Sequence, residues 1–389
     1  MSAIRRARLP QAEAVTDEPG GVSLKLLIPA LVLLGLGVAM VFSASIPLAA
    51  AGSDKSIFHY LWRELAFVAV GLVAMMGASR LPMDWVRRTS GWLLLFLGFF
   101  PLVLVLFVGI EVNGSRAWLP IPGTSLRFQP SELAKIVLIL AAARHFARFP
   151  KGLPDWRRAT RPFLLLGLVA GLVAIEPDLG TATVLVMAMM VFFHIAGAKL
   201  RHLAAAGSVG AVFAAIMLWQ HPYQWDRIRD YIIGGGNELG PGWHKLRSLI
   251  ALGSGGVTGC GYCGSVEKYF YLPAATTDSI LAVIGEELGL IATWAVVALF
   301  GYFVWQGLST AARARDRFSG LVAAGVVCLI GLQAIVNIAV VTGSIPATGV
   351  PLPLVSYGGS SLVCSLIAVG LLLNVSRDRP GPRPRAEAQ

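Results

Sequence analysis

Residues 24–46 read LKLLIPALVLLGLGVAMVFSASI, a run whose only charge is Lys25. It lacks the period-two alternation of a barrel strand. As a helix rising 1.5 Å per residue it matches the roughly 30 Å hydrocarbon layer of a bilayer. Lipid offers no hydrogen bonds to the backbone, so such a run must close its own and is predicted to be a membrane-spanning helix. Similar runs recur near 58–79, 90–112, 131–147, 163–177, 181–198, 203–221, 279–308, 320–343 and 361–376. The expected fold is all-α: a single polytopic domain over 24–376 with about ten transmembrane helices. Whole-chain composition agrees. Of 389 residues, 56% are hydrophobic and 14% charged, and the mean hydropathy is +0.70, which excludes an ordinary water-soluble enzyme. Residues 1–23 mix Arg5, Arg6 and Arg8 with Glu13, Asp17 and Glu18 and resemble no cleaved signal. They are expected to form a disordered cytoplasmic tail, and 377–389 a second, basic one.

Basic residues set the orientation. With the N-terminus inside, the tails, Lys25 beside the first of them, and the segments 80–88, 144–161, 199–201 and 313–317 gather 22 of the 32 lysines and arginines on the cytoplasmic side. The positive-inside rule therefore accounts for most of the net charge of +11. Nucleic acid is not an expected partner; membrane lipid is. The outward side then holds a large loop at 222–278 and three shorter segments rich in Pro and Gly, at 113–130, 176–181 and 344–360. Irregular backbone at membrane depth survives where it is buried in protein or lines a wet cavity, so these segments are expected to converge on a polar outward site.

Two local patterns carry little chemistry. Gly259-Cys-Gly-Tyr-Cys-Gly264 has the spacing G-x-G-x-x-G but follows no strand, so it reads as a glycine-rich turn and not a dinucleotide site. Its Cys260 and Cys263 form one C-x-x-C pair with no second pair to complete a zinc site, leaving an outward disulfide or two idle thiols. Cys328 and Cys364 lie in apolar runs and read as packing.

Ionisable residues near the membrane are costly unless paired or hydrated. Glu132 and Lys135, three apart, share a helix face and can pair, either as a structural brace or as part of a substrate site. Glu176 and Asp178 flank Pro177 with no adjacent base, which suits a cation, a sugar hydroxyl or a helix-capping role for Asp178. Asp278 opens the eighth crossing. It reads as a residue favoured by the helix dipole, or as an ionised carboxylate at the outer surface able to accept a proton. Glu286 and Glu287, deeper in the same helix, are expected to find interior partners.

Several longer motifs carry a resemblance. Residues 345–361 read IPATGVPLPLVSYGGSS, 113–119 NGSRAWL, 129–135 QPSELAK, 177–181 PDLGT, 248–256 SLIALGSGG, 271–278 YLPAATTD and 284–289 IGEELG. Together they resemble the SEDS family of FtsW, RodA and SpoVE over residues 24–376, with the 269–289 region more like the FtsW and SpoVE branch. The resemblance implies a peptidoglycan glycosyltransferase that polymerises lipid II at the outer face of the bacterial cytoplasmic membrane, in division or elongation. It implies that Asp278 is the catalytic base. Arg116, Trp118, Glu132, Lys135, Asp178, Lys268, Ser356 and Gly358 are the expected substrate-binding positions. A divalent cation, Mg or Mn, is a candidate for neutralising diphosphate alongside Lys135 and Arg116. Expected partners are lipid II, the nascent undecaprenyl-diphosphate-linked glycan, a class B penicillin-binding protein transpeptidase and other divisome or elongasome proteins.

The chain also departs from the family pattern. His244 and Arg247 stand where glutamines are usual, Glu176 replaces a glutamine, and Ser279 follows Asp278 where the family commonly has Phe. The alternative function is a lipid II flippase or related polyprenyl-lipid transporter. Transport favours ionisable groups at mid-membrane reachable from both sides, whereas most of the distinctive residues here cluster outward.

Overall fold

The computed structural model describes residues 23–51, 58–112, 114–123, 126–150, 156–220, 225, 229, 231 and 241–377. The expected tails at 1–22 and 378–389, Asn113 and most of the 222–240 part of the long loop lie outside the described residues. Eleven helices are described: α1 Leu24–Ala51, α2 His59–Ala78, α3 Met83–Val108, α4 Pro130–Ala147, α5 Trp156–Ile175, α6 Leu179–Ala196, α7 Leu200–Gln220, α8 Pro241–Ser254, α9 Ile280–Ala312, α10 Arg317–Val341 and α11 Gly359–Arg377. Nine of these are long and apolar enough to cross a membrane, which makes the chain a multi-pass membrane protein.

The remaining expected crossing is α4, whose 18 residues include Glu132, Lys135 and Arg144. It tolerates them because it runs through the protein interior, packed against α3, α5, α6, α10 and α11 and buried along most of its length. Helix α10 is buried over most of its length and is apolar around nearly its whole circumference, as a core helix must be; α7, almost entirely exposed, lies at the lipid-facing margin. One boundary needs correction. The third crossing starts at Met83, not near 90, and contains a π-helical segment, Leu94–Phe99. The fold is all-α as expected, with one small local addition. Strands β1 Ile110–Val112, β2 Ser115–Pro120 and β3 Arg127–Phe128 form a small antiparallel sheet over the end of α3, because the Gly and Pro residues there break the helix and the backbone must pair with itself.

Contacts among helix ends define two faces. The starts of α4, α6, α9 and α11 meet at one, where Gln129 N donates to Ser360 Oγ (3.1 Å) and Tyr357 N to Thr276 O (2.9 Å). At the other, Arg317 at the start of α10 donates to Ala196 O at the end of α6 (3.0 Å) and to Phe149 O just beyond α4 (3.4 Å).

The glycine-rich turn has a structural task. Helix α9 breaks at Gly289, whose φ of 79° and ψ of −176° are open to glycine but strained for other residues. The break frees backbone groups, and the turn caps them. Cys260 N and Gly261 N donate to Glu286 O and Glu287 O (both 3.0 Å), while Leu290 N donates to Gly256 O (3.0 Å). A Cβ on Gly259 would lie 2.1 Å from Glu287 O, so the turn needs glycine for close approach. Cys260 and Cys263 are free thiols, and Cys328 and Cys364 are buried.

Candidate functional site

Asp278 lies two residues before α9, half-buried and not sealed in the interior. Its peptide is held from three directions. Asn337 on α10, 1% exposed, donates through Nδ2 to Asp278 O (2.8 Å) and to Val350 O (2.9 Å). Ser356 donates to Thr277 O (2.6 Å) while accepting from Leu352 N (2.8 Å). Ser279 donates to Pro273 O (2.8 Å) and meets His244 Nε2 at 2.9 Å. The side chain points toward the 344–358 loop: a Cβ added to Gly349 would sit 3.8 Å from Asp278 Oδ2.

The same loop reaches the second acid. Thr348 O lies against Gly180, where a Cβ would come within 1.8 Å, so the start of α6 and the loop touch through backbone alone. Just before it, Asp178 caps α6 by accepting from Thr181 N (3.0 Å) and accepts from Gln129 Nε2 (3.0 Å). The dipeptide Thr348-Gly349 thus separates the Asp278 and Asp178 neighbourhoods. Lys135 and Glu132 pair at 2.9 Å, almost fully buried and within electrostatic range of Asp178. Nearby Ser131 Oγ, both Glu176 carboxylate oxygens and Thr348 Oγ1 are buried without a hydrogen-bond partner among the described residues. Unpartnered buried polar atoms are uncommon, and here they cluster.

Trp118 lies half-buried on β2, and the hydroxyl of Ser115 on the same strand donates to Glu176 O (2.5 Å), which sets the strand over the 176–178 turn. Arg116 is exposed, its Nε donating to Gly109 O (2.8 Å). A Cβ on Gly358 would make only an ordinary contact, 3.5 Å from Ser361 Cβ; the close approach belongs to its neighbour Gly359, where a Cβ would lie 2.4 Å from the Phe67 ring. Lys268 stands apart from this group. Its ammonium donates to Glu287 Oε1 (2.8 Å), Ser43 Oγ (2.9 Å) and Cys263 O (2.8 Å), and both members of the ion pair have 0% side-chain exposure. That position braces the fold and leaves no hydrogen for a substrate. Glu286 is likewise taken up inside, accepting from Ser265 Oγ and Val266 N.

Among the described residues no group of three or more His, Cys, Asp or Glu could hold a metal. A divalent cation at Asp278 would take a single protein carboxylate and draw its other ligands from water and a bound diphosphate, a pattern suited to Mg²⁺. Sequence reasoning missed Asn337 and Gln333, which donates to Pro351 O (3.1 Å). The signal was present, since an Asn and a Gln inside a 25-residue apolar helix must each find a partner.

This constellation defines a polytopic membrane protein with a carboxylate site assembled where one set of helix ends meets two irregular loops. A model of the FtsW, RodA and SpoVE family, described as cell cycle protein, matches residues 24–380, and the chain belongs to that family. Stage V sporulation protein E of Bacillus subtilis (strain 168) is 39% identical over 366 residues, covering 93% of this chain and 99% of that protein. A probable peptidoglycan glycosyltransferase FtsW of Halomonas elongata is 38% identical over 367 residues, covering 93% and 92%. Among solved structures, a chain from a peptidoglycan synthase complex studied for its coordination of polymerization and crosslinking superposes with a TM-score of 0.73 at 28% identity, over 92% of this chain and 98% of that one. The rod shape determining protein RodA of Thermus thermophilus gives 0.66 at 27%, over 93% and 99%.

Proposed function

We propose that this protein is a peptidoglycan glycosyltransferase that polymerises lipid II at the outer face of the bacterial cytoplasmic membrane, with Asp278 as general base. The observation that carries the reading is the half-buried Asp278 carboxylate, fixed through its own peptide by Asn337 and facing the loop that also contacts the Asp178 neighbourhood. The relatives named as probable peptidoglycan glycosyltransferases and the likeness to a synthase complex supply the reaction class.

In this reading Asp278 takes the proton from the C4 hydroxyl of the acceptor N-acetylglucosamine. The oxygen attacks the anomeric carbon of the lipid-linked donor, the bond to undecaprenyl diphosphate breaks, and the α-linked donor gives a β-1,4 product. Diphosphate leaves readily and needs charge neutralisation more than a proton, a role this reading gives to the exposed Arg116. Lys135 contributes through Glu132 and Asp178 by ordering the inner wall, since its ammonium is already engaged. The unpartnered Ser131, Glu176 and Thr348 atoms suit sugar hydroxyls. Trp118 offers a flat apolar face to a sugar ring or isoprenoid. A class B penicillin-binding protein is the proposed partner, docking on α9, α10 or the outward loop. Exposed Trp294, Trp305 and Ile335 supply apolar area on the two helices.

The test is direct. Purified protein given labelled lipid II should make glycan strands that lysozyme digests, and Asp278→Ala should make none while melting at the same temperature. Normal polymerisation by Asp278→Ala would remove the base assignment. Movement of lipid II across vesicles without any polymer would favour the transporter reading instead.

A further inference from the structure

At the face opposite Asp278, the first half of α3, the last turns of α4 and the start of α5 enclose a cavity of about 490 Å³. Arg88, Arg144, Arg148 and Arg161 line it together with His145, while Trp92, Leu95, Phe99 and Leu165 give it an apolar side. A second cavity of about 320 Å³ shares Arg88, Arg144 and Arg148 and adds Arg87 and Asp84. Five guanidinium groups therefore converge with one carboxylate among them, and none of the five forms an ion pair among the described residues.

The cluster is built, not scattered. Arg144 Nη1 donates to Arg88 O (3.1 Å), and α3 passes so close that a Cβ on Gly91 would lie 3.6 Å from the same nitrogen. Arg148 and Arg161 both lie within electrostatic range of the His145 ring, whose Nε2 is bonded to Arg158 O at 2.8 Å. Directly beyond Gly91 the helix widens into its π-helical segment, a distortion often found at functional positions, and Leu94, Leu95 and Phe99 of that segment line the cavity. Trp92 and Leu95 are 63% and 46% exposed, and tryptophan favours the boundary between headgroups and hydrocarbon. Like charges held together repel one another and favour a bound anion.

We propose that this cavity binds an anionic phospholipid of the inner leaflet, its phosphate held by Arg88, Arg144 and Arg148 and its acyl chains lying along Trp92, Leu95 and Leu165. Guanidinium groups match phosphate oxygens in paired, charge-assisted hydrogen bonds. Basic pockets between membrane helices on the cytoplasmic side recognise such headgroups. An acidic peptide would satisfy the arginines but leave the apolar side, which continues toward membrane depth, without a partner. Assignment to the inner leaflet follows the positive-inside orientation; the charge and shape of the site do not depend on it, nor on the reaction at Asp278.

The full-length protein, exchanged into mixed micelles containing phosphatidylglycerol or phosphatidylcholine, can be examined by native mass spectrometry. The wild type should retain phosphatidylglycerol under conditions that strip phosphatidylcholine. Arg88→Gln combined with Arg144→Gln should lower that retention about thirtyfold, the scale expected for removing two phosphate-facing cations. Where the double variant does not accumulate, Arg161→Gln, exposed at the rim, should lower it severalfold. Equal retention of the two lipids, or undiminished retention by a folded variant, overturns the proposal. Displacement of bound phosphatidylglycerol by a stoichiometric acidic peptide also overturns it and reassigns the cavity to a protein partner.

Discussion

Helix α9 and the turn that leads into it carry acidic residues in two regions that treat charge in opposite ways. Around Glu287 every polar hydrogen is accounted for: Lys268, Ser43 and Cys263 N surround the carboxylate, and water is excluded. Around Asp278 the fixed points are main-chain carbonyls, of Asp278 itself and of Thr277 and Pro273, while the residue stays half-exposed. A charge consumed by its neighbours braces a fold. A carboxylate positioned through its backbone, with access from outside, is available for chemistry.

The largest effects should separate the two regions. Asp278→Asn is expected to lower polymerisation about 10³-fold, within the range for loss of a general base, with an unchanged melting temperature. Lys268→Ala should do the reverse. Stranding Glu287 in a sealed site is expected to cost about 3–5 kcal/mol of stability, read as a lower melting temperature and poor yield in detergent, with activity per folded molecule largely kept. Lys268→Met with Glu287→Leu should recover part of that loss, because no buried charge is left unpaired, although the Ser43 hydroxyl and the Cys263 peptide lose their partners. Restored melting without restored polymerisation would move Lys268 from the brace to the substrate site.

The sequence made the helical membrane architecture legible because apolar length is a strong signal, and it failed where tertiary contacts decide. The α3 start was misplaced because residues 80–90 are polar: Met83 begins a helical turn with Arg87 and Arg88 outside the apolar run that the reading followed. The strands at 110–128 are too short for a periodicity signal. Asp178 was readable as a cap from its spacing to Thr181, and its bond to Gln129 was not, because it joins two segments 49 residues apart. Lys268 was placed with the substrate residues, yet its partners come from α1 and α9 and only folding brings them together. Resemblance marked Asp278, whereas Asn337, which holds its peptide, lay unnoticed in an apolar run.

Asn337 sharpens the comparison at intermediate scale. Asn337→Leu keeps the volume but removes donors to Asp278 O and Val350 O, leaving two carbonyls unsatisfied at about 1–3 kcal/mol. The expected outcome is a tenfold to hundredfold lower kcat with little change in KM for lipid II, because the aspartate is displaced and the binding walls are not. A purely structural role would instead lower the melting temperature and leave kcat per folded molecule intact.

The smallest effect should come from His244, one of the positions read as a departure from the pattern of the family that the chain resembles. Ser279 has one hydroxyl hydrogen, and its bond to Pro273 O uses it, so at the 2.9 Å contact His244 Nε2 must be the donor. That requirement is met by the Nε2–H tautomer and equally by the imidazolium, so the bond does not depend on the charge of the ring. A glutamine amide also donates. His244→Gln is therefore expected to change polymerisation less than twofold and to leave its pH profile unshifted, whereas His244→Leu, with no donor, should cost severalfold by loosening the turn that carries Asp278. A pH profile that moves on His244→Gln would show that the imidazole charge acts on Asp278 directly, and not only through the Ser279 hydroxyl that fixes its peptide.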